Sequence, residues 1–280
     1  MEQAAKPELM RKNLGLKMIR RANSIGHHYF IANLTSKDIA SSVALAVNEK
    51  HGIWYNPMTG EYHEATIGDK GIQLNLKSGE SRILITSNKP VNEWKLGSKV
   101  KVNEKEAIAA ADSKTIDLTE NAWKLSFTED APKVGETFNL KGVKSWEGLS
   151  EKAKVMMGTG VYETTIKLSK DDAKKQWTID LGDVRESARV YVNNKYIGCA
   201  WAVPYILNCK DALNKGKNTI RIEVTNLPAN RIAEMDRQGV KWRKMKDINV
   251  VDINYKKTTY ENWTPVSSGL NSTVKLVEIK

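Results

Sequence analysis

Apolar residues recur at every second position along most of this chain, and that period constrains its fold more than any other feature. Tyr162-Glu-Thr-Thr-Ile-Lys-Leu168, Ile72-Gln-Leu-Asn-Leu76, Gln176–Leu181 and Thr219–Thr225 all alternate. In an extended chain residues i and i+2 share one face, so each segment presents an apolar side to a core and a polar side to solvent. The same reading predicts strands over His28–Asn33, Val43–Val47, Ser81–Thr86, Trp123–Phe127, Ala188–Val192, Lys195–Gly198 and Ser272–Ile279. Helical periodicity is confined to Ala4–Lys12, Asn103–Ala111 and Met235–Met245. Turn chemistry punctuates the strands: Asn56-Pro-Met-Thr-Gly60 suits a hairpin, and Asn193-Asn194 suits the positive φ of a type I′ turn. Short strands with turns about every 8 to 12 residues predict an all-β chain of antiparallel β-sandwiches.

A length of 280 residues is about two average domains. A Lys-, Glu- and Ala-rich connector, Lys99–Ser113, separates two strand-rich blocks. The expected organisation is a small β-sandwich over 13–100, a linker over 101–118 and a second sandwich over 119–280. The second block carries a polar loop, 226–268, of the length usually given to function or to docking. With 44 Lys+Arg against 33 Asp+Glu the net charge is +11. Lysine is dispersed, and the densest basic run, Lys241–Lys246, lies beside Asp236 and Asp247, so no nucleic-acid partner is expected. A diffuse positive field suits an acidic polysaccharide equally well. No stretch approaches the roughly 20 apolar residues of a membrane span, and Met1–Pro7 has no apolar core, so neither a membrane partner nor a signal peptide is expected. Cys199 and Cys209 are too few for a disulfide framework or a four-ligand zinc site. They read as two small buried hydrophobes, or as one disulfide if their strands lie side by side.

Asp180-Leu-Gly-Asp-Val-Arg-Glu-Ser-Ala-Arg-Val-Tyr-Val-Asn-Asn-Lys-Tyr-Ile-Gly198 and Leu213-Asn-Lys-Gly-Lys-Asn-Thr-Ile-Arg-Ile-Glu-Val-Thr-Asn226 resemble the sugar-binding domain of glycoside hydrolase family 2. Ala200–Tyr205, Asn226–Arg231 and Trp263–Leu270 are similar to the C-terminal region of large enzymes related to α-L-rhamnosidases of family 106. More weakly, Gly26–Leu34 and Leu76–Leu84 resemble the small β-sandwich of those enzymes. The resemblance implies that the second block is a jelly roll of the galactose-binding-domain type. It also implies the accessory half of a glycoside hydrolase: a carbohydrate partner (plant or host polysaccharide), docking to a catalytic barrel, and a periplasmic or secreted location. The family's acid and base belong to that barrel, which has no counterpart in this pattern.

The residues themselves agree. Glycoside hydrolysis normally needs two carboxyl groups about 5 to 10 Å apart. The candidates are Glu163, Asp180, Glu223 and Asp236; Glu163 and Glu223 alternate with apolar neighbours and should face solvent, so no catalytic residue is assigned. His27 and His28 should point to opposite faces, while His51 and His63 flank the Asn56–Gly60 turn and could approach across it. No metal or cofactor is expected. Sugar binding remains: pyranose rings stack C–H faces on aromatic rings, and 8 Trp and 9 Tyr against 3 Phe favour rings with a polar handle. In the resembled domains the loop holding Trp201 and Tyr205 leans toward the catalytic pocket, so these two lead the candidates. Asn230, Arg231, Asp236, Trp242 and Trp263 of the long loop form a second group. For Trp201 and Tyr205, docking or plain packing stays open; for Asn230, Arg231 and Asp236, a loop-stabilising network stays open. Two further readings are a weakly active α-L-rhamnosidase-like hydrolase and a free-standing module for acidic polysaccharide.

Overall fold

In the first half of the chain, nine strands form around one apolar core: β1 Lys17–Ala22, β2 Gly26–Ala32, β3 Ile39–Val43, β4 His51–Asn56, β5 Glu61–Glu64, β6 Ile67–Gly68, β7 Gly71–Leu76, β8 Ser81–Ser87 and β9 Val102–Asn103. The structure is a computed structural model that describes residues 6–58, 60–94, 102, 103, 113–243, 254 and 258–279. The chain divides into two compact units, Met1–Ile108 and Ala109–Lys280.

The first unit stacks a sheet of order β1-β2-β8-β4-β5-β9 on one of order β3-β7-β6. Tyr29 and Ile31 of β2 and Leu84 of β8 face Val43, Ile72, Leu74 and Leu76, with Met10 of helix α1 (Leu9–Leu14) alongside. The alternation of β7 is the one its sequence predicts, since Ile72, Leu74 and Leu76 are buried and Gln73 and Asn75 are exposed. Two expectations shift. The strand predicted over Val43–Val47 instead ends at Val43, because the Ala46 N–H donates to the Glu8 carboxylate (3.0 Å). His51 and His63 do not meet across the hairpin: His63 stands opposite Trp54, and His51 opposite Ser87. His27 Nδ1 lies 2.6 Å from Glu49. The helix predicted at 103–111 falls outside the described residues except for Asn103, which belongs to β9.

Twelve strands build the second unit: β10 Thr115–Asp117, β11 Ala122–Ala131, β12 Phe138–Lys141, β13 Met157–Leu168, β14 Gln176–Asp180, β15 Val184–Arg185, β16 Ser187–Val192, β17 Lys195–Ala200, β18 Ile206–Asn208, β19 Gly216–Thr225, β20 Gly269–Leu270 and β21 Lys275–Ile279. A six-stranded sheet, β12-β11-β13-β19-β16-β17, faces a four-stranded one, β10-β21-β14-β18, with β15-β20 as a separate pair. All pairings in this unit are antiparallel. The expected all-β sandwich class is therefore the observed one. Trp123, Leu125, Tyr162, Val190, Ile220 and Ile222 from the larger sheet pack with Trp177, Ile179 and Leu276 from the smaller. Each such side chain contributes about 1.5–3 kcal/mol by leaving water.

Local chemistry fixes this unit's turns. Asn193 and Asn194 take φ of 50° and 63°, the type I′ geometry expected of the pair. The Asn193 amide also donates to the Ala212 carbonyl and the Asn218 side chain (both 2.8 Å), tying the β16–β17 hairpin to the turn before β19. The two cysteines are free; burial pushes the Cys209 thiol up to about 12, whereas Cys199 is half-buried.

Candidate functional site

Residues 226–268 lie between β19 and β20, and among the described residues side chains, with no strand ladder, hold the excursion closed. At its base the Asn226 amide accepts from Gly158 N–H (3.0 Å) and donates to the Met156 carbonyl (3.0 Å) and the Ser268 hydroxyl (3.1 Å). One step outward, Asn230 is buried and donates to the Val266 carbonyl (2.8 Å) while accepting from Val266 N–H (2.9 Å). Further out, Asp236 accepts from the Trp242 indole N–H (2.7 Å) and from Tyr260 N–H (2.8 Å). The pairs 226–268, 230–266 and 236–260 nest inside one another, like rungs closing a hairpin.

Asn230 and Asp236 sit on helix α3 (Ala229–Arg237), six residues upstream of where the sequence period placed a helix. Gly239 explains the stop. At φ +66° it takes the left-handed geometry of a helix end, and its N–H and that of Val240 bond to Asp236 O (3.0 Å) and Met235 O (2.8 Å). The chain beyond is then free to fold back, which carries Trp242 onto Asp236.

Three rings meet at the outer rung. Tyr260 lies 4.4 Å from Trp263 and 6.4 Å from Trp242, centroid to centroid, at interplanar angles of 50° and 33°. The Arg243 guanidinium sits 5.1 Å from the Trp242 ring and 5.4 Å from the Tyr260 ring, and donates to the Thr258 carbonyl (2.6 Å). Cation–π contacts of this kind are worth about 0.5–2 kcal/mol. Trp263 is half exposed, so the cluster offers a ring face to solvent beside a fixed guanidinium. Of the loop residues singled out in the sequence, Asp236, Trp242 and Trp263 lie at this rung. Asn230 is spent on the backbone of Val266. Tyr260 and Arg243 were not among the sequence candidates; their place here depends on how the chain folds back after Gly239.

The leading pair behaves differently. Trp201 projects from the end of β17 and is 63% exposed. Tyr205 is half-buried against the core, and its carbonyl accepts from Leu181 N–H (2.9 Å). Burial, with Glu186 nearby, raises its phenol above the ordinary range. No ring contact joins Trp201 and Tyr205 among the described residues. Arg231 lines a cleft of about 660 Å³ with Lys152, Lys154, Arg237, Glu151 and Glu234. Lys154 pairs with Glu151 (3.8 Å) and Arg237 with Glu234 (2.9 Å), and the second pair holds the Glu234 carboxyl below its usual range.

The candidate carboxylates are separately engaged. Glu223 is clasped by Arg221 (2.5 Å) and Arg189 (3.2 Å), Asp180 accepts from Gly182 N–H (2.9 Å), and Glu163 stands on the outer sheet face. Among the described residues no group of three or more His, Cys, Asp or Glu is placed to hold a metal ion.

The second unit is an all-β sandwich consistent with galactose-binding-like domains. Residues 149–268 match the family described as glycosyl hydrolase 2 galactose-binding domain-like, in agreement with the resemblance read from the sequence. A protein of Formosa agariphila named "Putative beta-glucuronidase" is 27% identical over 232 residues, which cover 74% of this chain and 20% of that protein. A rhamnosidase from Novosphingobium sp. PP1Y shares the fold at TM-score 0.67 and 21% identity, over 94% of this chain and 24% of the rhamnosidase. The chain thus spans a fifth to a quarter of the length of these relatives.

Proposed function

We propose that this chain is a non-catalytic, carbohydrate-binding accessory region of a glycoside hydrolase, contributing sugar contacts beside a separate catalytic barrel. The observation that carries the reading is the Trp242–Tyr260–Trp263 cluster with Arg243, held by Asp236 on a loop of the galactose-binding-like domain. Pyranose C–H faces stack on exposed indole and phenol rings, and a fixed guanidinium donates to ring hydroxyls or a carboxylate. The relatives named for glucuronide and rhamnoside hydrolysis support a sugar as the ligand. Binding of oligosaccharides should be measured calorimetrically with the intact chain and with Trp263→Ala. Loss of binding in the variant supports the reading, and unchanged binding overturns it. Trp201→Ala tests another exposed ring in the same way.

A second reading, an acidic glycan, is favoured by the Arg231 cleft, whose four basic residues outnumber its two acids. It predicts that oligoglucuronides bind more tightly than neutral chains, and that Arg231→Gln abolishes the difference.

A further inference from the structure

The outer face of the six-stranded sheet carries a line of side chains that neither the resemblance nor the loop cluster accounts for. In register across all six strands stand Asn139 (β12), Lys124 (β11), Glu163 (β13), Arg221 (β19), Tyr191 (β16) and Tyr196 (β17). Their neighbours along each strand, such as Trp123, Tyr162, Ile222 and Val190, point into the core, so all six lie on the opposite side. We propose that this face is a second carbohydrate-binding surface, a cross-strand track for one chain of uncharged, hydroxyl-rich sugar.

Three features carry the proposal. First, one end of the line is an aromatic floor: the Arg221 guanidinium lies 4.0 Å over the Tyr191 ring, and Tyr191 lies 5.4 Å from Tyr196. Tyr196 is 53% exposed, so a ring face is open to a ligand. Second, the other end is a cleft of about 680 Å³ whose lining includes Asn121, Lys124, Asn139, Glu163, Thr165 and Thr219. That volume falls within the roughly 300–1,000 Å³ of small-ligand sites. Amide, hydroxyl, ammonium and carboxylate groups at close spacing match the paired donors and acceptors of a sugar's hydroxyls. Third, both carboxylates of the line and its border stand beside cations. Arg189 and Arg221 share Glu223, and Lys124 stands opposite Glu163. Those three cations stand beside carboxylates of the same face, which leaves its amides, hydroxyls and rings to meet an uncharged sugar.

The dimensions agree. Five strand spacings of roughly 4.8 Å make the line about 24 Å long, room for several pyranose rings end to end. The line runs perpendicular to the strands, so a linear chain laid along it meets the polar cleft and the tyrosine floor in succession.

The proposal does not rest on the loop cluster, and its test keeps the two apart. In a Trp263→Ala background, binding of xylohexaose, cellohexaose and mannohexaose would be measured by calorimetry. The expected result is millimolar or tighter binding of at least one, weakened tenfold or more by Tyr196→Ala and restored by Tyr196→Phe. Tyr196→Ala alters an exposed side chain, and an unchanged melting temperature establishes that it folds; Thr165→Trp, which fills the cleft, is the independent second variant. No binding of any of the three by the Trp263→Ala protein at millimolar sugar, or equal binding by Tyr196→Ala and Thr165→Trp, overturns the proposal. Failure of Trp263→Ala to weaken binding in the intact chain bears only on the loop.

Discussion

The Trp146 indole N–H donates to the Tyr162 hydroxyl at 2.7 Å, deep in the second unit. The same oxygen accepts from Leu270 N–H (3.2 Å) and donates to the Lys144 carbonyl (3.3 Å), joining β13, β20 and the segment before Trp146. Burial holds the phenol far above its ordinary range, so it serves as a neutral hub. Tyr162→Phe leaves two buried donors without an acceptor, at about 1–3 kcal/mol each. A loss of about 2–4 kcal/mol in urea unfolding is expected. Gly160→Ala and Gly269→Ala should destabilise as well, because a Cβ at either position collides with the Trp146 ring. Urea melts followed by tryptophan fluorescence decide both; a Tyr162→Phe protein as stable as the parent refutes the hub.

Asn230 fastens the long loop through both halves of its amide. Asn230→Ala removes two hydrogen bonds to Val266, and Asn230→Asp keeps the acceptor while losing the donor. Both variants should be less stable than the parent, Asn230→Ala by about 2 kcal/mol, and Asn230→Asp is no rescue because its buried carboxylate faces the Val266 carbonyl. Limited proteolysis should cut the loop sooner in the Ala variant. Equal cleavage rates would show that the loop is held elsewhere.

The thiols should separate by reactivity. Cys209 is buried and its pKa lies near 12, so it holds almost no thiolate at pH 8, whereas Cys199 is partly accessible. Iodoacetamide should label Cys199 in the native protein and both in urea, read by peptide mass. Equal native labelling would contradict the burial of Cys209.

These features differ in how far the sequence announces them. The sandwich class was readable because a half-buried antiparallel strand writes its two faces into every second residue, as in Tyr162–Leu168 and Ile72–Leu76. The Asn193-Asn194 turn was readable because few residues tolerate positive φ. Within the candidate site, Asp236, Trp242 and Trp263 could be named from their residue types in a long polar loop, but Tyr260 and Arg243 depend on how the chain doubles back after Gly239, which no local period encodes. For Trp201 and Tyr205, nearness on one loop does not reveal that one ring faces water and the other packs against the core. The line from Asn139 to Tyr196 is more remote still. It exists only once the order β12-β11-β13-β19-β16-β17 and its registers are known.

The acid limb of stability offers a last test, with its sign fixed by Asp172. Its side chain accepts from the Lys114 ammonium (2.6 Å) and the Ser169 hydroxyl (2.8 Å), and these bonds hold the carboxyl below the usual aspartate value. A carboxyl depressed in the folded state binds its proton more readily when unfolded, so its stabilisation is complete above the unfolded value of about 3.9 and is lost as pH falls through the lower folded one. Asp172→Asn should therefore lower the melting temperature at pH 5 and above, and the gap from the parent should close as the pH drops below about 4. Lys114→Met should narrow the gap in the same window, because it removes the largest cause of the shift. Asp117, depressed by the Thr119 hydroxyl and N–H, remains in both variants, so some acid sensitivity should persist in them. Melting curves of the three proteins from pH 2.5 to 6 distinguish the cases. A gap that stays constant across that range would mean that Asp172 stabilises by packing or neutral hydrogen bonding, and not through its charge.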